Sequence, residues 1–267
     1  MTVDEALEAL GLPPNVGPDR EAIILQAVLD GKASVSWSKV TSNYEGHVGE
    51  FNVFSDALKL SGVRVNVSAE TEQKIADAMG CLLLTPKLAD LLWAQAGVIL
   101  TPKPRPITAS TRAMVEHSFD IDKELEALGY PTGLMQTVGK HWVIDELLAQ
   151  KPGRAMNYGW HFRGQSFGGL KGEVTASLLK DSTGQYVRLI QGRGTAHDMH
   201  HADYSQICVL VARSCTIDGV EMDLEAVLKD PVLAHLASHT GKMTIFRQPG
   251  VELDVVGTTV FGEVPQS

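Results

Sequence analysis

The chain is 267 residues long, 44% hydrophobic and 21% charged, with 32 acidic against 23 basic residues and a net charge of -9 at neutral pH. That balance belongs to a chain that buries a real core, which excludes disordered, collagen-like and low-complexity classes. It also argues against a nucleic-acid backbone or an anionic membrane as partner, and three cysteines make no disulfide framework.

In chain order, VDEALEAL and then DREAIILQAVLDG space their apolar residues helically, so residues 1–33 read as a helical lead-in to an α+β domain over 34–267. From Ser34 the period falls toward two in VSWSKVTS and EFNVF, and LKL-SG-VRVNV predicts a hairpin turning at Ser61-Gly62. Ser68 caps a helix over ETEQKIADAMG, Cys81-Leu-Leu-Leu is a short buried run, and Thr85-Pro86 opens the helix PKLADLLWAQAG. The prolines of LTPKPRPIT bar an interior helix or strand, so any subdivision of the domain falls near 101–108. Residues 109–129 read as helix. AMNYGWHF, EVTASLL, QYVRLIQ and YSQICVLVARS then read as strands, with turns at DSTG and IDG, and DLEAVLKDPVLAHLASHTG as two short helices broken at Pro231. The tail from Met243 adds a strand or two. The expected class is α+β, with a helical N-terminal half and a mainly antiparallel sheet in the C-terminal half.

No stretch approaches the roughly 18 apolar residues of a membrane helix, and the opening MTVDEALEALGL carries acids where a secretion signal carries bases. The expected location is cytoplasmic, with no signal peptide and no membrane partner.

Polar chemistry concentrates in Gly192-Arg-Gly-Thr-Ala-His-Asp-Met-His-His-Ala-Asp-Tyr-Ser, just before an apolar run that can hold it rigid. His197 or His161 has the chemistry of a general base, with His201 beside them. Asp203 would orient the base, and Ser205 or Tyr204 would serve as nucleophile or oxyanion donor. The plainer alternative is a solvated polar loop. His197 and His200 with neighbouring acids offer zinc- or iron-type ligands, although the segment matches no metal-binding spacing, so the leading expectation is no cofactor. In Asn157-Tyr-Gly-Trp-His161, strand alternation puts Asn157, Gly159 and His161 on one face and Tyr158 and Trp160 on the other. Lys140-His141 reads as a surface basic pair, and Cys81, inside an apolar run, as a buried structural thiol.

Tyr158-Gly159-Trp160-His161, a histidine about 35 residues on, Asp203-Tyr204-Ser205 and the Ile217-Asp218-Gly219 turn together resemble a loose group of poorly characterised bacterial proteins. The resemblance extends to Ala76-Asp77-Ala78, Gly80-Cys81 and Thr85-Pro86 through Trp93, about half the chain. The His/Asp/Ser-Tyr cluster points to a bacterial hydrolase or transferase, and the resemblance implies that its substrate is an amide or glycan bond of a cell-wall-type polymer. The site would lie where the His161 strand faces the 197–205 loop. The alternative is a non-catalytic polysaccharide- or peptide-binding or phage-structural module, in which Tyr158, Trp160 and Tyr204 stack on ligand. A second alternative is a metal-dependent enzyme. The expected partner is thus a small-molecule, peptide or glycan substrate.

Overall fold

The computed structural model describes residues 1–106, 109–136, 138–167, 170–175, 179–180 and 183–253. In chain order its main strands are β1 (Trp37–Tyr44), β2 (His47–Phe54), β3 (Cys81–Leu83), β4 (Lys140–Val143), β5 (Met156–Arg163), β6 (Glu173–Val174), β7 (Val187–Gly194), β8 (Leu210–Ile217) and β9 (Val220–Asp223). Its helices are α1 (Val3–Leu10), α2 (Pro18–Leu29), α3 (Ala69–Ala78), α4 (Pro86–Gln95), α5 (Thr111–Ala127) and α6 (Leu224–Lys229).

The helices begin where the sequence supplies caps. Ser68, Thr85 and Ser110 each accept a hydrogen bond from the first turn of α3, α4 and α5, which satisfies an otherwise orphaned amide. The Ser61-Gly62 turn also forms, with positive φ at both residues, as a two-residue hairpin turn requires.

The division into a helical half and a sheet half is wrong. β1 and β2 form an antiparallel hairpin in the first third of the chain, and β2 pairs with β8 from the last third. The other edge of β8 is taken first by β3 and then by β9. A hairpin alone cannot bury its apolar face, so the sheet draws strands from both ends of the sequence. Helices are equally spread, since α6 and a 3-10 turn at Leu233–Leu236 lie in the second half. The class is α+β with mostly antiparallel sheets and strands throughout.

A second antiparallel sheet runs in the order β6-β7-β5-β4. One hydrophobic cluster joins both sheets, from Ile24 through Phe51, Leu84, Trp142 and Tyr158 to Met243. The strand expected from Tyr204 starts only at Leu210. Residues 205–207 instead lie alongside the start of β4, with Lys140 N donating to Ser205 O and Ile207 N to Lys140 O. Gly139 permits this approach, because a Cβ there would stand 2.7 Å from Ile207 and 2.8 Å from Ser205 O. Residues 243–253 carry no strand, and the rest of the expected tail, like parts of EVTASLL, DSTG and LTPKPRPIT, lies outside the described residues. Among those described, no helix is long and apolar enough to cross a membrane.

Candidate functional site

The β4–β5 pair carries a polar cluster on each face. Trp142 lies opposite Asn157, and His141 opposite Tyr158. Strict alternation would then put His161 with Asn157, but β5 breaks register after Asn157, and Gly159 and Trp160 take φ of 128° and 53°. The irregularity turns Tyr158 and His161 to the same face. Both therefore reach the Asp90 carboxylate of α4, Tyr158 Oη at 2.8 Å and His161 Nε2 at 2.7 Å, both on Oδ1. The expected grouping of His161 with Asn157, apart from Tyr158, is thus corrected.

His239, from the segment after the Leu233–Leu236 turn, hydrogen-bonds Asp90 Oδ2 through Nε2 at 2.8 Å. Burial opposes ionisation of Asp90, but the hydrogen bonds and charges of His161 and His239 outweigh it and bring its pKa down to about 2. His141 is not a surface residue. It is 1% exposed, neither ring nitrogen has a hydrogen-bond partner, and burial beside His161 lowers its pKa to about 3.

The other face meets the 197–206 loop. His197 and His201 stack with centroids 4.0 Å apart and planes 16° from parallel, as an i, i+4 pair, and the Trp142 ring stands edge-on to both. His201 Nε2 lies 3.5 Å from Asp203 Oδ2. Ser205 donates to Asp203 Oδ1 through its amide, at 2.7 Å, and through its hydroxyl. Burial alone would raise the Asp203 pKa. The facing His201, the Ser205 hydrogen bonds and the charge of Lys140 instead hold it well below the usual carboxylate range. Burial, then the neighbouring His201 and Lys140, push His197 down, which keeps it neutral and able to accept a proton at neutral pH.

Lys140 enters from β4 on this side, with Nζ 5.7 Å from the Trp160 ring centre. Burial lowers its pKa, and the Asp203 charge only partly offsets that.

Of the residues named from sequence, the structure brings together His197, His201, Asp203 and Ser205, and separates His161 from them by the thickness of the sheet. Ser205 faces a carboxylate and not an imidazole, so the order is His201, Asp203, Ser205, with the acid in the middle. Tyr204 is 5% exposed and its hydroxyl is committed to the Arg105 backbone, accepting from N at 2.7 Å and donating to O at 2.9 Å. His200 turns away to pair with Glu70 Oε2 at 2.6 Å, apart from the His197 stack. Among the described residues no group of three or more His, Cys, Asp or Glu is placed to hold a metal ion. The Cys81 thiol is buried and pushed up to about 12 by desolvation.

Sequence reading missed Asp90 and His239, and it took Lys140 for a surface residue although it is half-buried at the start of β4. The signal for Asp90 was present: Pro86, Ala89, Asp90 and Trp93 share the i, i+3, i+4, i+7 face that α4 buries. Nothing near His239 marks it as a partner of a residue 149 positions earlier.

Comparison of the chain with protein-family models, with curated proteins and with solved structures found no match.

Proposed function

We propose that the chain is an acid–base enzyme of the hydrolase or transferase class, whose reacting groups are His197, His201 and Asp203. What supports the reading is one observation above all: a half-buried imidazole pair stacked at 4.0 Å beside an ionised carboxylate. Burial, with His201 and Lys140 beside it, favours the neutral ring of His197, which can therefore take a proton. His197 is the base, and the Asp203 carboxylate stands 3.5 Å from Nε2 of His201. Ser205 and Tyr204 are not nucleophiles in this scheme, because the first donates to Asp203 and the second to backbone. The attacking group is a water, or in transfer a substrate amine or hydroxyl, which loses its proton to His197.

The binding-module alternative asks Tyr158, Trp160 and Tyr204 to stack on ligand, and all three are at most 5% exposed. The substrate class follows the bacterial resemblance: an amide or glycan bond of a cell-wall-type polymer. Purified peptidoglycan sacculi, incubated with the protein and read by chromatography and mass spectrometry of released fragments, test it. The reading expects fragments with the parent chain and at least a hundredfold fewer with His197→Ala, about the size of a lost general base. Equal release by the variant overturns the site, and no release by the parent overturns the substrate class.

A further inference from the structure

A cavity of about 230 Å³ opens between α2 and α3, against the turn that carries His197 and His201. Pockets for drug-sized ligands run about 300–1,000 Å³, so this one takes a group the size of a single amino-acid unit. Ala22 and Leu25 give it an aliphatic wall on α2, and Glu70, Thr71 and Lys74 a polar wall on α3. His200 closes one side, with Nδ1 2.6 Å from Glu70 Oε2, and Met199 O accepts from Glu70 N at 3.0 Å. An occupant therefore touches the residue next to His201, roughly 3.8 Å from it along the chain. The polar wall has bonds to give. Lys74 Nζ donates to Glu70 Oε1 at 2.9 Å, and its other protons remain available. Thr71 is 5% exposed; its hydroxyl accepts from Ser68 Oγ at 3.1 Å and, among the described residues, donates to no acceptor. Each Glu70 oxygen holds a second lone pair. Part-exposed pairs such as Lys74–Glu70 exchange partners at little cost.

We propose that this cavity is a substrate subsite for an amino-acid unit whose free end carries an ammonium and a carboxylate on one carbon. The methylene stem of such a unit lies along Ala22 and Leu25, its ammonium meets Glu70, and its carboxylate meets Lys74 and the Thr71 hydroxyl. Adjacent opposite charges on the wall match adjacent opposite charges on the ligand, and a group bearing one charge alone leaves half of the wall unmatched. A sugar is the poorer fit. Its C–H faces dock on aromatic rings, and among the described residues no Trp, Tyr or Phe lines the cavity. The inference rests on the hydrolase or transferase reading and narrows its substrate to the peptide part of a cell-wall-type polymer, held beside the loop of His197.

The test follows the amide resonances of the intact chain by NMR at about pH 7, where a free α-amino acid end is zwitterionic. The probes are meso-diaminopimelate, which has the doubly charged end, pimelate, which has carboxylates alone, cadaverine, which has ammoniums alone, and N-acetylglucosamine. At about 10 mM, the range expected for a fragment this small, diaminopimelate shifts Thr71, Lys74 and His200, and the other three do not. Lys74→Gln and Glu70→Gln, which alter only part-exposed pairs, each weaken its binding about tenfold or more. No shift overturns the proposal, as do equal shifts from pimelate, cadaverine or N-acetylglucosamine, and binding that both variants retain. The readout is binding alone, so absent cleavage of sacculi counts against the hydrolase reading and not against the subsite.

Discussion

At the residue scale, the most consequential side chain is Asp90. It is 2% exposed and takes hydrogen bonds from Tyr158 and His161 of β5 and from His239 near the end of the described chain. Removing the acceptor leaves those donors buried without it. Asp90→Ala is therefore expected to cost about 3 kcal/mol in urea unfolding, and Asp90→Asn, which keeps one acceptor oxygen, clearly less. Equal stability of Asp90→Ala and the parent would show that the network contributes nothing to the fold.

Glu72 is the converse case. It is fully buried on α3, its carboxyl has no hydrogen bond of normal geometry, and desolvation raises its pKa well above the ordinary value despite the nearby Val209 backbone. Its neighbours include the equally buried Cys208. The stability tied to the neutral Glu72 carboxyl is full below about pH 4.5 and is lost as pH rises, so Glu72→Gln, which keeps the shape without a titrating proton, is expected to lose less stability than the parent between about pH 4.5 and pH 8 in urea midpoints.

At the element scale, β5 decides which residues can work together. Its two positive φ angles turn one residue pair to the wrong side of a regular strand. Gly159 at φ 128° occupies backbone space that a side chain rarely adopts, and a Cβ there would stand 3.2 Å from His141 Cδ2. Gly159→Ala is expected to lower stability by about 2 kcal/mol, measured by chemical denaturation. Gly97→Ala, in open space at ordinary φ, is the control and should change it by less than about 0.5 kcal/mol.

The elements legible in the sequence are those with local causes. Ser68 and Thr85-Pro86 announce their helices because capping involves residues three apart, and Ser61-Gly62 announces its turn because a hairpin turn is equally local. The break in β5 was hidden, since Trp160 is not a residue that signals a left-handed conformation. Its consequence, the move of His161 to the face of Asp90, was hidden with it. The 197–205 cluster could be read because its members are close in sequence. Lys140 joins it only through the approach of residues 205–207 to β4, which depends on the absent side chain of Gly139.

At the scale of the whole molecule, buried histidines set the acid limit. Burial lowers the pKa of His141 to about 3 and that of His117 to about 4. In the unfolded chain both titrate near about 6.5, so the unfolded state binds their protons first as pH falls. The stability tied to neutral rings is therefore full above about pH 6.5 and is lost progressively below it, before Asp90 begins to protonate near pH 2. His117 packs edge-on against Trp160 and Tyr204 with Nε2 unpartnered. His117→Leu should accordingly flatten the loss between pH 6.5 and 4.5 in urea midpoints, and an unchanged slope would contradict the assignment.

The whole arrangement amounts to one sheet with a closed carboxylate–histidine network on one face and an accessible histidine pair on the other. The accessible pair carries the proposed chemistry. Its central claim is tested most directly by following the ring signals of His197 and His201 by NMR as a function of pH, in the parent and in Asp203→Asn. The account predicts that His197 titrates below an ordinary histidine and that Asp203→Asn, which removes a charge that raises it, lowers it further. A His197 that titrates near about 6.5, indifferent to Asp203→Asn, would contradict it.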